Sequence, residues 1–310
     1  MAASPEGAPM RRRRFERASA AQTVLTPLKL RALALLLDYR FLLVPQLARL
    51  MRCSEQSARR SLRELYDGEY VEKIAVPRAV LADEGGEANN PSLTYGSAPP
   101  IHALSRKGVQ ALVDAGMAER DALRLARGGY GPKNALFLRH EVFVREIRIW
   151  LATLPGGPLL RSWKSAPETE IALRPGAKLF PDATFALGVG ERESRDAVLA
   201  GFIEADRGTE RGPARWTEKV EACAALFADP GKIIEATGFR HARVLVVART
   251  EARRDWIWNA IEDIAWRLGL SPEFAERFWI VDKDVLHDQA LDGERWRIPG
   301  VDGLSPLLAP

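Results

Sequence analysis

The sequence predicts a mixed α/β chain, α+β overall, built in two parts. A small helical unit with a strand pair comes first, and a core with the element order α-β-β-β-α-β follows. Two observations predict this. Between Thr26 and Tyr66 the apolar residues recur at helical spacing three times, and Tyr70–Ile74 then reads as a strand. From Ala135 onward a long helical pattern gives way to strand-like segments at Phe180–Phe185, Gly201–Asp206 and Arg243–Ala248, with a helix between the last two. A chain of 310 residues is long enough for two such domains. The expected divisions are a disordered basic tail over 1–24, a first domain over 25–115, a linker over 116–134, a second domain over 135–285 and a C-terminal tail over 286–310.

Composition narrows the class. With 46% hydrophobic and 28% charged residues the chain is globular beyond its first segment. No run of eighteen apolar residues is present, so no membrane span is expected. The first residues lack the apolar core of a signal peptide, which makes a cytoplasmic location the expectation. Cys53 and Cys223 are too few and too far apart for a zinc site or a disulfide framework, and the four histidines show no metal-ligand spacing. A net charge of +4 permits nucleic-acid binding without establishing it.

The elements of the first part follow in order. Ala, Ser, Pro and Gly dominate residues 1–24, and Arg11, Arg12, Arg13 and Arg14 cluster there. That cluster is either an arm that reaches DNA phosphate or a solvated tail. Thr26 caps a first helix with Pro27 in its first turn, and Leu30, Leu33, Leu36 and Leu37 form its stripe. A second helix runs from about Val44 to Arg52. Ser54 caps a third, with Ala58, Leu62 and Leu65 inward and Gln56, Ser57, Arg59, Arg60 and Arg63 outward. Strands at Tyr70–Ile74 and Ile101–Leu104 would enclose a wing whose tip, Asp83–Pro100, is rich in turn residues. Ser105 caps a fourth helix. Three helices, the last one polar and basic, followed by a strand pair, is the pattern of a winged helix-turn-helix. Its third helix enters the major groove of double-stranded DNA. The alternatives are a solvated basic face or a protein-docking module.

In the second part Asn134 caps a long helix to about Leu154 that carries His140 and Glu141. Leu159–Trp163 begins a strand expected to continue irregularly toward Ile171–Leu173. The Asp182 and Glu204 strands come next, then a helix over about Ala214–Phe227 with Trp216, Val220 and Cys223 turned to the sheet. Arg243–Ala248 is a continuous apolar run, as in a strand buried on both faces. A helix from about Glu251 to Leu268 and the strand Arg277–Asp282 complete a β-α-β unit. Leu286–Pro310 reads as loop-rich, with Trp296 as an anchor.

The chemistry sits on Asp182, Glu204 and Asp206. Side chains alternate along a strand, so Glu204 and Asp206 share a face. Hairpin pairing of the two strands puts Asp182 opposite Glu204. Like charges that close repel unless a cation lies between them, which points to Mg2+ or Mn2+ and to phosphodiester cleavage. The bland alternative is a capping Asp182 and two solvated carboxylates on an edge strand.

The Pro181-Asp182 and Glu204-Ala205-Asp206 spacing resembles the PD-(D/E)XK nuclease superfamily, whose restriction-endonuclease-like core has the element order given above. Asp206 stands where the lysine belongs, and in some members that lysine comes from the following helix. The resemblance therefore implies Lys219 as the third catalytic group beside Asp182 and Glu204, with Glu141 as a helix-borne ligand. Most of the chain, from about residue 25 to 285, also resembles the replication-relaxation family. The resemblance rests on Tyr39-Arg40-Phe41-Leu42, Gln46-Leu47-Ala48-Arg49-Leu50, the run from Ala58 to Val71, His140-Glu141 and the string Glu204–Glu210. It implies a DNA-binding protein of a plasmid, phage or integrative element acting in replication, relaxation or mobilisation. Its partners would be double-stranded DNA, a second copy in a homodimer, and replication or mobilisation proteins. Two readings stay open: a metal-dependent endonuclease or nickase, and a catalytically inactive DNA-binding accessory or transcriptional regulator.

Overall fold

The structure is a computed structural model. It describes residues 16–17, 23–76, 99–125, 135–154, 159–166, 168–174, 177–188, 198–208, 212–287 and 293–307. Arg11 to Arg14, the cap at Asn134 and nearly all of the expected wing tip lie outside the described residues. The chain is a mixed α/β protein that divides into two compact units, 1–138 and 139–310. The division falls four residues into a long helix, later than the expected linker.

In the first unit, helices α1 (Pro27–Tyr39), α2 (Val44–Met51) and α3 (Glu55–Asp67) surround a shared apolar centre. Local chemistry sets their starts. The Thr26 hydroxyl accepts from the Lys29 N–H, and the Ser54 hydroxyl accepts from the Ser57 N–H. At α2 the buried Gln46 side chain reaches back to the Leu43 N–H at 2.9 Å. Leu33, Leu36, Leu47, Leu62 and Leu65 are fully buried at the spacing of three and four residues that selects one helix face. Each contributes about 1.5–3 kcal/mol of apolar burial. The short β1 (Phe41–Leu42) joins β2 (Val71–Ile74) and β3 (Ile101–Leu104) in an antiparallel sheet of order β1-β3-β2. Helix α4 (Arg106–Asp114) follows its Ser105 cap. A short helix α5 (Ala122–Leu125) lies in the stretch expected to be linker.

The second unit is organised on a five-stranded sheet of order β10-β9-β8-β7-β4. Its strands are β4 (Leu159–Ser165), β7 (Ala183–Gly188), β8 (Val198–Asp206), β9 (Arg243–Ala248) and β10 (Phe278–Asp282). The pairs β4–β7 and β7–β8 are antiparallel, whereas β8–β9 and β9–β10 are parallel. Parallel neighbours need a crossover. Helices α7 (Ala214–Phe227) and α8 (Pro230–Thr237) supply the first, and α9 (Glu251–Arg267) the second. The short α10 (Pro272–Ala275) precedes β10. Alternation along β9 sorts the core into two layers. Val244, Val246 and Ala248 pack with α7, α8 and α9, while Leu245 and Val247 pack with the long helix α6 (Ala135–Thr153). Gly201 permits the closest strand approach, because a Cβ there would lie 2.0 Å from the Arg243 carbonyl oxygen.

One expectation is corrected here. The segment after β4 does not continue that strand. It forms a separate antiparallel pair, β5 (Ile171–Arg174) and β6 (Ala177–Leu179), which buries Ile171, Leu173 and Leu179 in the layer of α7 and α8. The loop-rich C-terminal residues are anchored by Trp296, as expected, and by more than that residue. Trp296, Ile298 and Leu307 enter the layer of α6, and Ile280 bridges to Arg297. Among the described residues no helix is long and apolar enough to cross a membrane.

Candidate functional site

Strand pairing brings the acidic residues together. The Asp182 N–H donates to the Ile203 carbonyl at 3.0 Å, which extends the β7–β8 ladder by one step and sets Asp182 opposite Glu204. One Asp182 oxygen accepts the Ala205 N–H at 2.7 Å, so the backbone of β8 fixes the carboxylate. The other faces His140 Nε2 from α6 at 2.8 Å. Glu204 lies inside β8 and is 5% exposed. Lys219, one turn beyond Trp216 on α7, reaches it, and its Nζ forms an ion pair with Glu204 Oε2. His140, Asp182, Glu204 and Lys219 thus meet at the end of β8 where β7 begins.

Asp206 shares the face of Glu204 but is held separately. It takes a two-pronged ion pair from Arg253 on α9 at 2.9 and 3.0 Å, the Trp216 indole N–H at 3.3 Å and the Gly208 N–H at 2.7 Å. Its described partner is Arg253 on α9. Arg253 in turn stacks 4.1 Å from the Trp256 ring centre. Glu141 pairs with Arg145 one turn along α6 at 3.4 Å, and its neighbour His140 is the residue of that helix that reaches the acids. Among the described residues no group of three or more His, Cys, Asp or Glu side chains is arranged to hold a metal ion.

The electrostatics follow from burial and pairing. Burial pushes the Glu204 carboxyl up to about 7; the Lys219 charge opposes the rise and the Asp182 charge adds to it. Burial alone would lower Lys219, but the Glu204 charge and hydrogen bond outweigh it and raise the ammonium above its usual range. Burial also lowers His140, yet the hydrogen bond and charge of Asp182 and the charge of Glu204 carry it above its ordinary value. Burial raises the Cys223 thiol above its ordinary value.

The second feature is the outer face of α3. Gln56, Ser57, Arg59 and Arg60 are exposed, while Ala58, Ser61, Leu62 and Leu65 are buried on the opposite face. The Arg59–Glu55 contact is long, 3.8 Å, and solvated, so it holds Arg59 weakly. Arg63 lies against its own chain, with its guanidinium on Asp67 at 3.0 Å and on the Glu16 carbonyl at 3.1 Å.

A family model described as Replication-relaxation matches residues 33–239, which span α1 through α8. No curated protein and no solved structure gives a significant match.

The His140–Asp182 pair sets a pH dependence. The folded-state pKa of His140 lies above its unfolded value of 6.5. Its contribution to stability is therefore complete below that pH and is lost as pH rises through the folded value. In metal-free buffer, denaturant unfolding of wild type and His140→Gln should differ most near pH 6 and converge toward pH 9. A gap independent of pH would contradict the pairing.

Proposed function

The chain belongs to the replication-relaxation family, and from that premise we propose that it is a double-stranded-DNA-binding protein. It acts in the replication, relaxation or mobilisation of a plasmid, phage or integrative element. The observation that carries this reading is the two-faced α3. Its apolar side is locked into the first unit, and Gln56, Ser57, Arg59 and Arg60 stand outside it. The order α1-β1-α2-α3-β2-β3 supports reading this unit as a winged helix-turn-helix with α3 as the groove-reading helix. Gln56 and Ser57, near the helix N-terminus, are the groups aimed at base edges, whereas Arg59 and Arg60 meet phosphate or guanine. Arg63 helps by fixing the end of α3, since its guanidinium is already engaged.

Each neutralised phosphate releases counterions and adds to the salt dependence of binding. Replacing Arg59 and Arg60 together by Ala should make the slope of log affinity against log salt shallower by about 2. Titration of a labelled duplex at several salt concentrations reads this directly. An unchanged slope would remove α3 from the DNA interface.

A second reading, metal-dependent cleavage of a phosphodiester, is favoured by one observation: Asp182, Glu204 and Lys219 come together, as a nuclease-like core in the second unit requires. Carboxylates and an imidazole are donors that Mg2+ or Mn2+ accepts. As placed, however, they do not fit the ion. Asp182 is held by His140 and by the Ala205 N–H, Glu204 is held by Lys219, and Asp206 and Glu141 are engaged with arginines. If the cluster is catalytically inactive, wild type, Asp182→Ala and Glu204→Ala leave supercoiled plasmid equally intact with Mg2+ or Mn2+. Nicking by the wild type alone would establish the second reading.

A further inference from the structure

The acids at the end of β8 are matched one for one by bases, and each base comes from a different helix. Asp182 is paired with His140 of α6, Glu204 with Lys219 of α7, and Asp206 with Arg253 of α9. The first two pairs form one cluster, since the charges of Asp182, Glu204, His140 and Lys219 all act on one another. Two carboxylates side by side are the usual mark of a divalent-cation site, because they need positive charge between them. Here that charge is supplied from within the chain.

We infer that Lys219 is a built-in counter-ion that stands where a divalent cation would act, so that the folded chain alone binds neither Mg2+ nor Mn2+ at Asp182 and Glu204. This deepens the account of the same cluster given above and rests on that placement of the four residues. Three features support it. Lys219 approaches Glu204 from α7, whose Trp216, Val220 and Cys223 are locked into the core, so its backbone cannot withdraw without unpacking that helix. Its Nζ also lies 5.3 Å from the Trp216 ring centre, a cation–π contact that favours the ammonium in this position. Asp182 has one oxygen committed to the Ala205 N–H and the other to His140, so it cannot turn to a cation without breaking a contact to β8 or to α6. A dication entering the intact cluster would meet the Lys219 ammonium at the same carboxylate. If the ammonium is removed, Glu204 faces Asp182 unbalanced, and the vacated space becomes a cation site.

The test is Mn2+ binding to the full chain at pH 8, followed by calorimetry and by the rise in melting temperature with added Mn2+. Wild type and Lys219→Arg should show no saturable binding at the cluster. Lys219→Met should bind one Mn2+ per chain at least tenfold more tightly than wild type and should melt higher with the ion than without it. If Lys219→Met folds poorly, its rescue by Mn2+ is the same result read through stability. The double variant Glu204→Gln with Lys219→Met, which has no unbalanced carboxylate at this position, should lose the gain. Equal Mn2+ affinity in wild type and Lys219→Met overturns the inference, and so does a Lys219→Met chain that gains no affinity and no Mn2+-dependent stability. Plasmid nicking is a separate readout. Its absence leaves the Mn2+ ratio interpretable, and metal-dependent nicking by the wild type that Asp182→Ala abolishes would also overturn the inference, because it requires the ion at the intact cluster.

Discussion

The second unit depends on the ion pair between Glu204 and Lys219. A carboxylate in the middle strand of a five-stranded sheet is sealed from water, and an isolated charge there would cost several kcal/mol. Lys219 relieves that cost only if α7 packs in one register. That register also buries Trp216, Val220 and Cys223, one turn before, one residue after and one turn after the lysine. The electrostatic demand of one strand residue and the apolar demand of one helix face therefore select the same docking. Arg253 repeats the logic at Asp206 and ties α9 to the end of β8, while Arg254 beside it joins Glu251, Asp255 and Asp282. The helices on this layer are held at their ends by charge and along their length by apolar contact.

The first unit is built on different terms. Its helices begin at hydroxyl or amide caps, and its sheet is short, so stability comes from leucines that meet in its centre. This leaves the outer surface of α3 free of structural duty. The contrast matters for function. Asp206, Glu141 and Arg63 carry charge and are paired within the chain, whereas Arg59 and Arg60 are exposed on the outer face of α3, Arg59 with a long contact to Glu55.

Much of this was legible from local patterns. The caps at Thr26, Ser54 and Ser105, the two faces of α3 and the bounds of α7 follow from spacing within a few residues. The shared face of Glu204 and Asp206 follows from period-two alternation, and the register of the β7–β8 pair then sets Asp182 opposite Glu204. What escaped depends on contacts remote in sequence. His140 and Glu141 are adjacent, and no sequence spacing states which of them turns toward a residue forty-two positions later. Arg253 is forty-seven residues from Asp206, one arginine among many in the chain. The β5–β6 pair has a local signal in the Pro175-Gly176 dipeptide, a turn-forming pair that separates two short runs. In the loop-rich C-terminal segment Trp296 is legible as an anchor, whereas the packing of Ile298 and Leu307 beside it in the layer of α6 is not.

The central claim is that Glu204 and Lys219 neutralise each other inside the sheet. A double-mutant cycle on unfolding free energy, with Glu204→Gln, Lys219→Met and both together, measures it directly. Each single change should destabilise the chain by about 3 kcal/mol, because it strands a buried charge, and the double variant should recover most of that loss. Additive losses, with no coupling between the two positions, would show that the pair does not hold the site together.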